Sequence, residues 1–136
     1  MIQTPILAAP GVPAHIRWEE RVFAGDVAAT KRYTLRTLKF WVTRLSDKWN
    51  VVKPKLEFVP RGDDCEYIPD AGLIRLHTPR YGTLLDLVHE FAHHVTNCTL
   101  KDRERKDVRW HGRKWKNLMS ALVKDVEEHY KVRKHA

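Results

Sequence analysis

His89, Glu90 and His93 spell H-E-x-x-H inside the apolar run LLDLVHEFAHHV, residues 84–95. On a helix, side chains four residues apart lie about 40° apart around the axis and one turn apart in height. Two imidazoles placed in this way can share one tetrahedral cation. Glu90 is turned about 100° from His89. It is too close to serve as a third ligand of that ion, but it is well placed to reach a water beside it, as a general base must. Histidine and glutamate in apolar surroundings cost free energy unless something satisfies them. A cation supplies that satisfaction, and Leu84, Leu85, Leu87, Val88, Phe91, Ala92 and Val95 supply the surroundings. At the chain's own composition, eight histidines included, a chance H-E-x-x-H is expected about 0.03 times.

A hydrolytic zinc site takes three protein ligands and leaves its fourth position to water. The third ligand narrows by elimination. A metzincin continuation requires glycine at position 96 and histidine at position 99, where the chain has Thr96 and Thr99. A gluzincin glutamate is often accompanied by an acid four positions on, but Glu104, Glu127 and Glu128 are followed there by Val108, Lys131 and Val132. His94 is turned about 100° from His93, and His129 and His135 come late. His111 remains. Gly112 behind it permits a close approach, and the 17 residues between His93 and His111 can fold it back. His111 is the first choice, ahead of Glu104 and His94. For a second electrophile the chain offers Tyr130, His94 and Arg113.

Periodicity and breakers outline the elements that must hold these residues. HIRWEERVFA reads as a short helix ending near Gly25. Asp26 is the expected N-cap of a long helix to about Asn50, with Leu35, Leu38, Val42, Leu45 and Trp49 along its apolar stripe. Arg32, Arg36 and Lys39 form a basic stripe beside it, either a solvated face or a phosphate-contacting one. KLEFVP, CEYIP and LIRLH read as three strands, with a turn at PDAG where Gly72 can take positive φ. Thr83 can cap the motif helix, which runs to about Asn97, with Asp86 three residues on. TLKDRERKD, residues 99–107, reads as an exposed loop. A last helix begins near Gly112, its inner face made by Trp115, Leu118, Met119, Leu122, Val126 and Tyr130. The fold class is α+β: a long N-terminal helix, a small three-stranded, mainly antiparallel sheet, the H-E-x-x-H helix and a C-terminal helix. One domain over residues 14–130 lies between an extended arm of residues 1–13 and a basic tail of residues 131–136.

The 136 residues suit a single domain with a modest core. No apolar run reaches the roughly 18 residues of a membrane span, and the proline-broken N-terminal stretch does not read as a signal peptide. Cys65 and Cys98 stand in unrelated contexts, so a reducing cytoplasm is expected rather than a disulfide framework. A formal net charge of +8 favours a polyanionic partner, nucleic acid above all.

HEFAHHV followed by WHGRKWKNLM resembles the SprT-like, Spartan-related zinc metallopeptidases, in which H-E-x-x-H is followed by a third histidine in an H-G-x-x-[FW] element. Here that element is His111, Gly112 and Trp115. YIPDAGLIRLH is similar to the hairpin that precedes the family's motif helix. The likeness covers roughly residues 56–122, about half the chain, and extends by analogy to the long N-terminal helix. Two lone cysteines cannot form the zinc ribbon that many bacterial members carry, which leaves a bare catalytic core of bacterial or phage origin. The resemblance implies a minimal zincin-like domain that is monomeric and holds one zinc ion on His89, His93 and His111. It implies a protein or peptide substrate hydrolysed with Glu90 as general base, near DNA and away from membranes. It also implies a substrate lying along the strand GLIRLH as an added antiparallel strand, where Arg75 or His77 would meet it. Two rivals stand beside this reading. A peptide deformylase would use Cys65 as third ligand, but DDCEYIP lacks that family's glycine-rich surround. A basic nucleic-acid-binding module with a structural or inactive zinc site would need His94 or Cys98 as a fourth ligand.

Overall fold

The computed structural model describes residues 14–59, 65–77, 81–99 and 111–135. The arm of residues 1–13, most of the charged stretch at 99–107 and Glu104 lie outside them. Among the described residues there are five α-helices: α1 Ala14–Phe23, α2 Val27–Thr30, α3 Leu35–Trp49, α4 Leu84–Thr99 and α5 Arg113–His135. The five strands are β1 Arg32–Thr34, β2 Lys55–Val59, β3 Glu66–Ile68, β4 Leu73–His77 and β5 Tyr81–Thr83. The α+β class stands. No helix among the described residues is long and apolar enough to cross a membrane.

α4 is the centre of the molecule. Ten of its 16 residues are buried, and it packs against α2, α3, α5 and strands β3, β4 and β5. A helix apolar on nearly all sides has to be enclosed in this way. Its start is fixed by Thr83, whose Oγ1 accepts from the Asp86 N–H at 3.0 Å. α5 lays Trp115, Met119, Leu122, Val123 and Val126 into the core, with Leu118 and Tyr130 half-buried at its margin. It continues through His135.

The expected helix from Asp26 to Asn50 is broken. α2 ends after four residues, Arg32–Thr34 are extended, and α3 starts afresh at Leu35. β1 pairs antiparallel with β5, a two-stranded ladder absent from the sequence reading. Aromatic and β-branched residues at Tyr33 and Thr34 favour the extended state, and Thr34 then caps α3 by accepting from the Thr37 N–H. α3 ends on Asn50 in the left-handed region, φ 52.

The main sheet has the order β2-β4-β3. β3 and β4 form the expected antiparallel hairpin, turning through Pro69–Ala71 and Gly72 at φ 58. β2, however, runs parallel to β4, so the sheet is mixed and not mainly antiparallel. The reason is burial. β4 carries Ile74 and Leu76, both fully enclosed, and the most apolar strand takes the middle, where both edges are paired. β3 is displaced to the far edge. Leu76→Ala is expected to cost about 2–5 kcal/mol in denaturant unfolding. An unchanged midpoint would show that this face of β4 is not packed.

Candidate metal centre

α4 presents His89 and His93 one turn apart, as the motif requires, and the turn before α5 brings His111 to them. His93 Nε2 lies 3.0 Å from His111 Nε2, and His111 Nε2 lies 3.2 Å from His89 Nε2. Ligand atoms from all three residues fall within 4.8 Å of one another, and among the described residues no fourth His, Cys, Asp or Glu joins the group.

These distances fit a cation. A tetrahedral zinc with bonds of about 2.0–2.1 Å spaces its nitrogen ligands about 3.3–3.4 Å apart.

Trp115 forms the floor. Its ring centroid lies 4.7, 5.6 and 4.9 Å from those of His89, His93 and His111. It is 1% exposed, and its indole N–H reaches the His89 carbonyl at 3.4 Å. The aromatic residue of H-G-x-x-W is thus the surface on which the triad rests.

Glu90 is buried on the same turn, its Oε2 3.8 Å from His89 Nε2. Burial pushes its carboxyl up to about 7. The charge on His89 opposes that rise, while Glu19, Asp86 and Glu66 add to it. His89 Nδ1 meets Glu19 Oε2 of α1 at 2.9 Å. Burial by itself lowers the His89 pKa, but the Glu19 hydrogen bond and the charges of Glu90, Glu19 and Asp86 leave it raised.

Glu19 escaped the sequence reading. It lies 70 residues from its partner, and the only signal was general: a ligating histidine needs an acceptor for its second ring N–H. Nothing local distinguishes it from the chain's other glutamates.

The remaining candidates lie elsewhere. His94 is buried on another face of α4, where its Nε2–H donates to the Val52 carbonyl at 2.6 Å. Its Nδ1 therefore accepts, from the Tyr67 hydroxyl at 2.7 Å, and that oxygen in turn accepts from Asn97 Nδ2. Burial lowers the His94 pKa despite the Val52 bond. This residue ties α4 to β3 and the segment after α3, outside the group of His89, His93 and His111. Cys98 Sγ sits 3.5 Å from it, away from the triad. Neither cysteine is in a disulfide.

The Tyr130 hydroxyl accepts from Trp41 Nε1 at 3.0 Å, far along α5 from His111. Arg113 is exposed at the first position of α5. Arg75 and His77 stand on β4, the middle strand, which is paired on both sides over Leu73–Arg75. A peptide cannot add to that strand there. Arg75 is engaged by Glu57 at 2.7 Å and Glu66 at 2.8 Å. Arg36 and Lys39 are exposed on α3, but Arg32 belongs to β1, so the three do not form one helical stripe.

No family model matches the chain, and neither a curated protein nor a solved structure matches it.

Proposed function

We propose that the protein is a zinc-dependent metallopeptidase of the SprT-like kind, hydrolysing peptide bonds in a protein or peptide substrate in the cytoplasm. The observation that carries this reading is the convergence of His89, His93 and His111 beside a buried Glu90. His89, His93 and His111 would hold the ion through Nε2. Zinc bound there supplies Lewis acidity toward water and toward a peptide carbonyl. Glu90 takes the proton of the attacking water on a carboxylate oxygen and returns it to the departing amine nitrogen. Trp115 keeps the imidazoles in place and water away from their inner side. The resemblance at residues 89–93 and 111–115 supports the same assignment. The test is metal analysis of the purified protein together with cleavage of an unfolded protein, before and after chelation. About one zinc per chain and zinc-restored cleavage are expected. Metal-free protein that cleaves equally well would end the reading.

A second role, contact with nucleic acid, is favoured by one patch on α3. Phe40 is 48% exposed, Arg36 and Arg44 are exposed one turn to either side of it, and Lys39 is exposed beside it. Cations around an open aromatic ring suit single-stranded nucleic acid, where bases stack and phosphates pair. Arg36→Glu with Lys39→Glu is expected to weaken single-stranded DNA binding and to lower the log–log salt slope by about 1.4. Unchanged binding and slope would remove this surface from consideration.

A further inference from the structure

α1 lies outside the segment that resembles a known family, yet it touches the metal centre at two points. Glu19 meets His89 Nδ1 at 2.9 Å. Trp18, the preceding residue, packs its ring 5.8 Å from that of Trp115, the floor beneath all three histidines. Lys116 lies over the Trp18 ring, Nζ 5.3 Å from the centroid. Phe23, at the end of α1, packs edge-on to Trp18 at 5.3 Å and is 3% exposed. Glu19 itself is 7% exposed. A carboxylate is costly to bury without a partner, and Glu19 faces the outer nitrogen of a candidate ligand.

We infer that Glu19 is a positioning residue of the metal centre, so that α1 and the cation reinforce one another's binding. The inference rests on the metal-centre reading above. Its chemistry is simple. To ligate through Nε2, His89 must carry its ring proton on Nδ1. A carboxylate accepting that N–H fixes the tautomer, holds the ring plane and makes Nε2 a better donor. The contact from α1 is made to His89, so the effect enters there. Binding then links in both directions. Anything that tightens α1 on the core tightens the cation, and the cation tightens α1.

The test compares the unmodified chain with Glu19→Gln, which keeps size and an acceptor oxygen but loses the charge. Zinc affinity is read by competition with a chromophoric chelator, the ligand field by cobalt(II) absorption, and stability by melting of the metal-free protein. Expected for Glu19→Gln are zinc affinity reduced roughly 10–100-fold, a shifted cobalt spectrum and a metal-free melting temperature no lower than that of the unmodified chain. Trp18→Phe, which keeps Glu19, is expected to retain most of the affinity. Glu19→Gln that binds zinc as tightly as the unmodified chain, or that loses affinity only in proportion to a lowered metal-free melting temperature, would overturn the positioning role alone. An unmodified chain that takes up no zinc would overturn the metal-centre reading and this inference together.

Discussion

Glu90→Gln is expected to take up zinc at the same stoichiometry as the unmodified protein while its peptide hydrolysis falls by about 10²–10⁴-fold, the range associated with loss of general acid–base catalysis. The substitution is nearly isosteric, so it fills the same buried space on α4 and leaves His89 and His93 one turn apart. It removes only the capacity to accept and return a proton. Stability should not suffer. A carboxyl that burial pushes up to about 7 is a group the fold accommodates at a cost, and a neutral amide relieves part of that cost. The measurement pairs zinc content and melting temperature with initial cleavage rates on one unfolded substrate. Zinc retained with full activity would remove Glu90 from the chemistry and leave the centre without a base.

His111→Ala should act on the ion instead of the proton. Its Nε2 stands within 3.0 and 3.2 Å of the other two, and without it two imidazoles remain on one helical turn. Zinc affinity is expected to fall by more than the roughly 10–100-fold attached to losing a supporting hydrogen bond. Ligation couples to folding. In excess zinc the variant should therefore melt near the temperature of chelator-treated unmodified protein, because ligand-linked stabilisation has gone. The informative comparison is Glu104→Ala, the other downstream candidate. If His111→Ala keeps one zinc per chain and Glu104→Ala does not, the third ligand has been misassigned.

The parts of this molecule that could be read from the sequence are those decided within one or two helical turns. H-E-x-x-H, Thr83 with Asp86 three residues on, the Gly72 turn and the inner stripe from Trp115 to Tyr130 are local patterns, and each appears in the structure. Local propensity failed where distant chain decides. Residues 27–30 and 35–49 look like one helix until Tyr33 finds Gly82 across a strand pair. β2 and β3 look like antiparallel neighbours until the burial of Ile74 and Leu76 draws β4 into the middle. Arg75 looked available for a substrate because Glu57 and Glu66 lie opposite it only once the sheet order is known. At the site, the three imidazoles were legible and Glu19 was not, since a contact across 70 residues leaves no periodic trace.

The β1–β5 ladder passes into α3 on one side at Leu35 and into α4 on the other at Leu84, with no connecting residue in either case. Both helices thus start from the same three cross-strand pairs, Arg32 with Thr83, Tyr33 with Gly82 and Thr34 with Tyr81. A strand advances about 3.3 Å per residue. Slipping this pairing by a single step would slide one helix origin past the other by more than half the pitch of a helix and reverse which side chains face inward. His89 follows only five residues after Leu84. A few main-chain hydrogen bonds that touch no imidazole therefore act as the datum from which the depth of His89 and His93 is measured.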